Sequence, residues 1–380
     1  MRSKLTLLLL CLCALVRPGR AQSDSLLPNN DEFRGAWLAT VAGLDWPDCN
    51  DPAIIQQLRL IEQIKGLREL GCNTLIFQVV SNMDALYRSR ILPWSAVLSG
   101  TEGQDPYYDP LALAVQVAHE CGMQIHAWIN PLRVCRDDVT PHHESHVSIA
   151  HPEWVQNYKH KLYLDPGNPE VVEFLRDVAK EIVDNYAVDG LHIDDYFYPD
   201  GLQKDGEGWN NDMYQLYGKG KKLDEWRFST INNVVRVLYE TAHESRPDIV
   251  FGVSPAGRLA NTCRLYADPR MWVDEGVVDY LAPQIYWAIG RGDAAAFEQV
   301  LESWSFVSKG VPVYMGLAAY KYAQEYNKGL DAPYVSLVEF KRELDLCRKA
   351  WYVKGHIWFR TLDVLRDDFR SYILSELYEQ

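Results

Sequence analysis

Residues 186–201 read YAVDGLHIDDYFYPDG: a short apolar run that ends abruptly in two acids and three aromatic residues. Side chains alternate between the two faces of a β-strand, so His192, Asp194 and Tyr196 share one face. Leu191 and Ile193 occupy the other face and are suited to packing against helices. The stretch therefore predicts a buried strand that presents polar side chains to the axis of a barrel.

Asp195 comes directly after Asp194 and is expected at the transition from strand to loop, where the alternation can break. Two neighbouring carboxyl groups in a partly dry cleft push each other's pKa values apart, so that one stays protonated while the other is ionised. The simpler alternative is structural: either acid caps the next helix or pairs with Arg133 or Arg360.

Seven further short runs are rich in apolar, β-branched or aromatic residues and predict strands. They cover residues 34–40, 73–80, 124–130, 249–255, 279–287, 311–320 and 355–361. The stretches between them have helical spacing, most clearly over residues 52–70, 109–121, 168–186, 223–245 and 334–351. Alternating strands and helices favour parallel βα units.

Eight such units in roughly 350 residues predict a single (β/α)₈ (TIM) barrel. The predicted domain spans residues 33–380, after a lead-in at residues 22–32. A doubly wound open sheet is the alternative, but it would normally use fewer strands and show a phosphate-binding glycine turn after the first.

The N-terminus has the pattern of a signal peptide over residues 1–21: early basic residues, a short apolar run and a small residue, Ala21, before the cleavage point. We therefore expect an exported chain, periplasmic or extracellular. Removing four basic side chains with this segment changes the formal charge from −14 to −18. A chain this acidic is a poor partner for nucleic acid, and no later segment is apolar enough to span a membrane.

Polar and aromatic residues recur at the ends of the predicted strands, where (β/α)₈ barrels build their active sites. We predict Asp194 and Asp195 as the catalytic pair, without a cofactor or metal. The predicted substrate-binding residues are Trp37, Asp45, Gln78, His126, Asn130, Arg133, His192, Tyr196, Gln284, Tyr286, Trp287 and Trp358. The heavy aromatic content favours a carbohydrate polymer or oligosaccharide, because flat rings stack on the apolar faces of sugars.

Residues 137–151 contain four histidines and three acids, which are competent metal ligands. No helical frame fixes their spacing, so we interpret this segment as a mobile rim over the cleft. Six cysteines follow the signal peptide, and no two are spaced as in a zinc knuckle. Cys72 and Cys121 are expected to be buried thiols, and a single disulfide elsewhere stays an open possibility.

Six blocks of the chain resemble the glycosyl hydrolase-like 10 family, in the family's order. They are FRGAWLATVAGLDWP, NTLIFQV, HAWINPLRV, VDGLHIDDYFYP, FGVSPAG and DYLAPQIYW, within residues 32–360. The resemblance implies a (β/α)₈ barrel, export from bacteria and hydrolysis of glycosidic bonds. Cell-wall glycan strands are among the substrates that it suggests.

The predicted fourth strand is also similar, more distantly, to the Asp-x-x-Asp-x-Asp-x-Glu motif of glycoside hydrolase family 18. On that alignment Tyr196 stands where the family has its general acid, and a phenol is a poor acid for this step. We therefore assign proton donation to Asp195 and stabilisation of the reacting centre to Asp194. The position of Tyr286 corresponds to a residue that holds the acetamido group, which favours a 2-acetamido sugar.

Two other functions stay open at this point. A glycan-binding barrel without catalysis is favoured by the missing glutamate of family 18. A metal-dependent deacetylase would use the histidine-rich segment at residues 137–151.

Overall fold

The computed structural model describes residues 32–206, 208–290, 296–328 and 333–378. Eight parallel strands run through the described part of the chain. They are β1 (Phe33–Leu38), β2 (Thr74–Val80), β3 (Gln124–Ile129), β4 (Gly190–Ile193), β5 (Val250–Val253), β6 (Tyr280–Leu281, continued by Gln284–Ile285), β7 (Val313–Leu317) and β8 (Val353–Trp358). The predicted signal peptide lies outside the described residues.

The strands pair in chain order and close into a barrel. β8 pairs with β1, with Trp358 opposite Ala36. The two short pieces of β6 connect β5, through Tyr280 opposite Gly252, to β7, through Gln284 opposite Gly316. The predicted (β/α)₈ barrel is therefore confirmed, and the alternative of an open sheet is wrong.

A helix follows each strand and covers the outside of the barrel. These helices are α1 (Ala53–Glu69), α2 (Pro110–Glu120), α3 (Pro169–Asn185), α4 (Leu223–Ser245), α5 (Pro269–Glu275), α6 (Phe297–Ser308), α7 (Val338–Lys349) and α8 (Asp367–Tyr372). The starts of α2 and α3 follow from their sequences. The side chains of Asp109 and Asn168 accept hydrogen bonds from the first turn, and a proline fixes the first helical φ.

Shorter elements complete the connections. Helical turns occupy Ala96–Ser99, Val147–Ala150, Leu202–Asp205, Asn211–Tyr217, Leu259–Arg264, Tyr320–Asn327 and Thr361–Val364, with 3₁₀ turns at Val41–Gly43, Pro152–Trp154 and Pro333–Val335 and a π turn at Ile373–Leu377. Between β3 and α3 lies a small antiparallel sheet of Arg133–Cys135, Val155–Tyr158 and Lys161–Leu164. This sheet carries Arg133 to the mouth of the barrel.

The interior of the barrel is filled by large aromatic residues, and two glycines make room for them. A Cβ on Gly190 would lie 2.6 Å from the ring of His126, and one on Gly252 would lie 1.9 Å from the ring of Tyr280. Any larger residue at either strand position would collide with a ring. The filled interior closes the lower barrel, and the cleft among the described residues opens toward the C-terminal ends of the strands.

The six described cysteines, Cys49, Cys72, Cys121, Cys135, Cys263 and Cys347, are free thiols. Cys72 is buried as predicted, whereas Cys121 is only partly buried. Among the described residues, no helix combines the length and apolar character needed to cross a bilayer.

Candidate active site

A cleft opens at the C-terminal end of the barrel, with Asp194 and Asp195 in its wall. Seven strands or the loops that follow them contribute the other polar and aromatic side chains around it. These are Trp37, Gln78, Trp128, Arg133, Tyr196, Ser254, Gln284, Tyr286 and Phe359. The sequence-predicted catalytic pair therefore lies in a cleft lined largely by aromatic rings.

Asp194 is the deeper of the two acids and is almost completely buried. Trp128 donates its indole N–H to Asp194 Oδ2 at 3.0 Å, and the backbone N–H of Tyr196 donates to Oδ1 at 3.3 Å. These donors and the charge of Arg133 favour the carboxylate. Burial and the neighbouring charge of Asp195 oppose them and raise the pKa of Asp194 well above its usual range.

Asp195 is partly exposed and lies where the strand becomes a loop, as the sequence suggested. Burial raises the pKa of Asp195 to about 6, although a hydrogen bond from Gln284 and the charge of Arg133 act in the opposite direction. Both carboxyl pKa values are thus raised, and that of Asp194 is raised further. Neither acid caps a helix, because the next one begins only at Leu202.

Arg133 supplies the positive charge beside the two acids. Its guanidinium donates to the backbone oxygen of Ser81, from Nε at 3.2 Å and from Nη2 at 3.1 Å, and lies 4.0 Å from the centre of the Tyr196 ring. These contacts fix the cation without a direct ion pair to either acid. Arg360, the other candidate partner, contacts Asp45 and Asp363 instead.

Gln78 and Asn130 hold the rim of the cleft together. Gln78 Oε1 accepts the backbone N–H groups of Thr40 and Val41, both at 2.9 Å, and its Nε2 donates to Asn130 Oδ1 at 3.0 Å. Asn130 in turn donates to the backbone oxygen of Ser81 at 3.0 Å. Gln78 lines the cleft, but Asn130 is fully buried behind it and serves as its support.

His126 and His192 lie below the cleft and do not line it. The Nδ1 atoms of both rings are within 2.9 Å of the hydroxyl of Tyr280, and Trp37 donates its indole N–H to His192 Nε2 at 3.2 Å. Burial lowers the pKa of His126 to about 4 and that of His192 well below its usual range, so both rings are neutral. The two histidines were predicted to contact substrate, but they belong instead to a buried internal network, in which Nε2 of His126 has no partner among the described residues.

Trp358 points away from the barrel axis, so its predicted place in the cleft is wrong. Its indole N–H donates to the hydroxyl of Tyr378 at 3.1 Å, and its ring packs against Phe340 and Phe369. The next residue, Phe359, lines the cleft in its place.

Asp45 and Trp287 also lie outside the lining of the cleft. Asp45 accepts the backbone N–H groups of Ala39 at 2.8 Å and Leu362 at 3.1 Å, and burial raises its pKa to about 7. It joins the ends of β1 and β8 and lines neither the cleft nor a neighbouring cavity among those described. Trp287 is partly buried and lies against Gly257, with its ring packed on the outer core.

Trp128, Ser254 and Phe359 line the cleft but were not predicted from the sequence. Trp128 could have been found, because it lies two residues after His126 and the alternation turns it inward. Phe359 is less evident, because both faces of β8 carry aromatic residues.

A second cavity, of about 460 Å³, continues from the cleft at Asp195, Tyr196 and Gln284. Its volume is typical of ligand pockets, which span roughly 300–1,000 Å³. Its other walls include Tyr158, Lys159, Lys161, Tyr163, Phe197, Tyr198, Asp200, Asn261 and Arg264. Asp195 therefore lies at the junction of the two cavities, whereas Asp194 lines the cleft alone.

Solved structures similar to this barrel include glycoside hydrolases. The glycoside hydrolase domain of PgaB (BpsB) from Bordetella bronchiseptica aligns with a TM-score of 0.55 and 13% identity, over 90% of this chain and 98% of that domain. The endo-β-1,4-mannanase from Thermotoga petrophila also aligns with a TM-score of 0.55, at 10% identity, over 87% of this chain and 68% of that one. At such low identity these likenesses support the fold alone.

Two curated relatives are much closer in sequence. Glycosyl hydrolase YngK of Bacillus subtilis (strain 168) is 34% identical over 385 residues, covering 95% of this chain and 73% of the relative. Glycosyl hydrolase DigH of Escherichia coli (strain K12) is 34% identical over 400 residues, covering 93% of this chain and 90% of the relative. The family model for glycosyl hydrolase-like 10 matches residues 32–336. The resemblance seen in the sequence is thus confirmed: the chain belongs to the glycosyl hydrolase-like 10 family and is a glycoside hydrolase.

Proposed function

We propose that this glycoside hydrolase is exported and cleaves a polymeric glycan of the bacterial cell wall that contains 2-acetamido sugars. The observation that carries the proposal is the position of Asp195 at the junction of two cavities, with Asp194 beside it in the wall of the cleft. A polymer that crosses this junction has sugar units on both sides of the acids. The bond between those units then lies next to the carboxyl pair.

Glycosidic hydrolysis requires one protonated and one ionised carboxyl group. Because the pKa of Asp194 is raised further than that of Asp195, the pair keeps one proton above about pH 6, and Asp194 holds it. We therefore assign the general acid to Asp194 and the ionised carboxylate to Asp195. This reverses the roles expected from the sequence, where the depth of the two side chains was unknown.

The surroundings of each acid fit this assignment. Gln284 and Arg133 stabilise the charge of Asp195, whereas the buried position of Asp194 disfavours charge. A buried acid with a raised pKa is the usual source of a proton for a leaving oxygen at neutral pH. Asp195, closer to solvent, is placed to act on the anomeric carbon or on its attacking water.

Tyr286 supports the preference for a 2-acetamido sugar. It lines the cleft, and burial raises the pKa of its phenol well above the usual range, so the hydroxyl stays protonated. A neutral phenol at this position is a hydrogen-bond donor suited to an acetamido carbonyl. The wall that it forms with Phe359, at 5.8 Å between ring centres, gives the same sugar an apolar surface.

The test is digestion of a glycan panel by the purified protein, with products identified by mass. The panel contains cell-wall glycan strands, chitin oligosaccharides, a mucin-type glycan and β-mannan. We expect cleavage of the first two, and none with the doubly substituted Asp194→Asn, Asp195→Asn protein. Cleavage of mannan alone would contradict the acetamido assignment. Binding of a glycan without any product would favour the non-catalytic barrel.

Export is tested separately. The pattern of residues 1–21 predicts that protein recovered from the periplasm or medium begins near Gln22. Protein found only inside the cell and still beginning with Met1 would contradict export and leave the enzymatic proposal untouched.

A further inference from the structure

The second cavity, which continues from the cleft at Asp195, has a positively charged wall. Three cations line it, Lys159, Lys161 and Arg264, and the acids among its described lining residues are Asp195 and Asp200. With Asp195 ionised, these side chains leave an excess of one positive charge. The whole chain has a formal charge of −14, so the wall is opposite in sign to the molecule. Such a wall attracts an anion to the side of the acids.

The positive excess comes from the two lysines. Arg264 is already paired, because its Nε lies 3.2 Å from Asp200 Oδ1. Lys161 is exposed to solvent, and Lys159 Nζ lies 4.8 Å from the centre of the Tyr158 ring. An ammonium group over an aromatic ring is oriented by the ring and keeps its charge.

The two lysines lie at the tip of a β-hairpin whose backbone is strained. The strands Val155–Tyr158 and Lys161–Leu164 pair directly, which leaves Lys159 and His160 as a two-residue turn. Both residues have a positive φ, 51° and 63°, which type I′ turns require and which asparagine and glycine adopt most easily. A lysine and a histidine are costly there. Strain of this kind is tolerated where the side chains have a function.

His160 ties the tip of the hairpin to the segment 137–151. Its Nδ1 lies 3.0 Å from Asp138 Oδ2, which also accepts a hydrogen bond from the side-chain amide of Asn157 at 2.8 Å. His160 is outside the lining of the cavity, whereas the lysine on each side of it is part of that lining. The turn therefore presents both ammonium groups to the same space.

The hairpin also connects the lysines to the catalytic acids. Lys161 and Tyr163 lie two residues apart on one strand and both line the cavity, as strand alternation requires. Tyr163 lies opposite Arg133 on the neighbouring strand, and Arg133 lines the cleft with the two acids. The same short sheet thus supplies one cation to the cleft and two to the cavity.

We propose that the second cavity binds a sugar unit next to the cleaved bond through a carboxylate on that unit, and that Lys159 and Lys161 select for it. This inference rests on the proposed function, because it concerns the same polymer at the same acids. A carboxylate carries one negative charge, which matches the positive excess of the wall, whereas a phosphate monoester carries about two. The ammonium group of lysine is a point charge, so it can pair with a carboxylate in several orientations.

The test compares KM for three ligands. They are a soluble cell-wall glycan strand with free carboxylates, the same strand with its carboxylates converted to amides, and a neutral chitin oligosaccharide. The wild type should have its lowest KM for the carboxylate strand, and this preference should weaken as salt is added. Lys161→Gln should raise KM for that strand about 2–5-fold, the loss of one exposed ion pair, and leave KM for the two neutral ligands unchanged. A strand with phosphate esters in place of carboxylates should bind no more tightly.

Matched variants separate charge from structure. Lys161→Arg keeps the charge and should keep the preference, and Lys180→Gln, which removes a lysine of α3 paired with Asp184, should behave as the wild type. The doubly substituted Lys159→Asn, His160→Gly protein has the residues that this turn prefers. It should melt no lower than the wild type and still lose part of its preference for the carboxylate strand. A purely structural turn would show no such loss.

Equal KM values for the carboxylate and amide strands, or an equal effect of Lys161→Gln on the chitin oligosaccharide, would overturn this inference and leave hydrolysis untouched. Calorimetric binding to the Asp194→Asn, Asp195→Asn protein separates the inference from the proposed function. Tighter binding of the carboxylate strand than of the amide strand supports the role of the cavity, even if the wild type releases no product from either. The absence of product would then contradict the proposed substrate alone.

Discussion

The interior of the barrel contains two polar groups at different depths, and only the upper one resembles an active site. The lower group, His126, His192 and Tyr280, forms a buried hydrogen-bond network in which each imidazole contacts the same phenol and Nε2 of His126 has no partner among the described residues. In the upper group, Asp194 and Asp195 face a cleft that opens to solvent. His126 and His192 lie on inward-facing strand positions, and Asp194 continues the inward face of β4 one residue beyond its end at Ile193.

The difference shows that an inward position is not enough to indicate contact with substrate. Burial without access keeps the two histidines neutral and bound to each other through Tyr280. Burial with access on one side raises the pKa values of Asp194 and Asp195 while leaving them reachable. The same desolvation therefore produces a packed interior at one level and accessible acids with raised pKa values at the next.

The largest expected effect comes from the upper group. Asp195→Asn should lower kcat/KM by about 10²–10⁴-fold on every glycoside, because the ionised carboxylate is needed whatever the leaving group. Asp194→Asn should cause a similar loss on the natural glycan but a much smaller one on aryl glycosides with an activated leaving group, which need little protonation. Steady-state kinetics on both substrate types checks this.

Asp177→Asn, on the exposed face of α3, is the control for loss of a carboxyl and should keep full activity. If instead Asp195→Asn keeps most of its activity on activated aryl glycosides and Asp194→Asn does not, Asp195 is the acid, as first expected from the sequence. If neither loses activity, the catalytic pair lies elsewhere.

The pH dependence of wild-type kcat/KM tests which of the two acids is ionised in the reaction. The pKa of Asp195 is raised to about 6, so its charge disappears as the pH falls through this value. If Asp195 acts as the ionised group, kcat/KM should rise about tenfold per pH unit below 6 and level off above it. At higher pH it should fall as Asp194, whose pKa is raised further, loses its proton. An activity that instead falls as the pH rises through 6 would make Asp195 the acid.

The lower group should affect stability and leave catalysis nearly unchanged. Tyr280→Phe removes the one hydroxyl that serves both His126 and His192, and so leaves two buried ring nitrogens without a partner. We expect the free energy of unfolding to fall by about 2–3 kcal/mol. Denaturant unfolding measures this, and kcat/KM of the folded variant should stay within about twofold of the wild type. A large loss of activity at unchanged stability would place this network in the reaction.

The strands, the helices and the acids at the end of β4 could be predicted from the sequence. The depth at which each inward side chain lies in the barrel could not. The order of strands and helices followed from periodicity and from the caps at Asp109 and Asn168, because these signals are local. The acids at the end of β4 followed from the alternation of one strand. The level at which His126 lies depends on the register of neighbouring strands and on the space left by Gly190, which a single strand pattern does not contain.

β8 shows why its inward face was assigned wrongly. Its sequence carries large side chains on both faces, and both faces of a barrel strand are buried. Polarity therefore does not distinguish Trp358 from Phe359. Only the closure of the barrel, with Trp358 opposite Ala36, determines which ring faces inward.

Trp358, the last residue of β8, and Phe359, directly after it, allow a test with the smallest expected effects. It distinguishes the two faces of this strand. Trp358→Phe loses the hydrogen bond to Tyr378 and part of the packing on Phe369, so unfolding should become easier by about 1–2 kcal/mol with KM unchanged. Phe359→Leu removes the ring that lies beside Tyr286 in the cleft. Its KM should rise about 2–10-fold, the equivalent of a stacking contact of roughly 0.5–1.5 kcal/mol, with kcat little altered. Thermal or denaturant unfolding and Michaelis–Menten kinetics on both variants separate the two roles. A higher KM in Trp358→Phe, with a normal KM in Phe359→Leu, would show that substrate meets the opposite face of this strand.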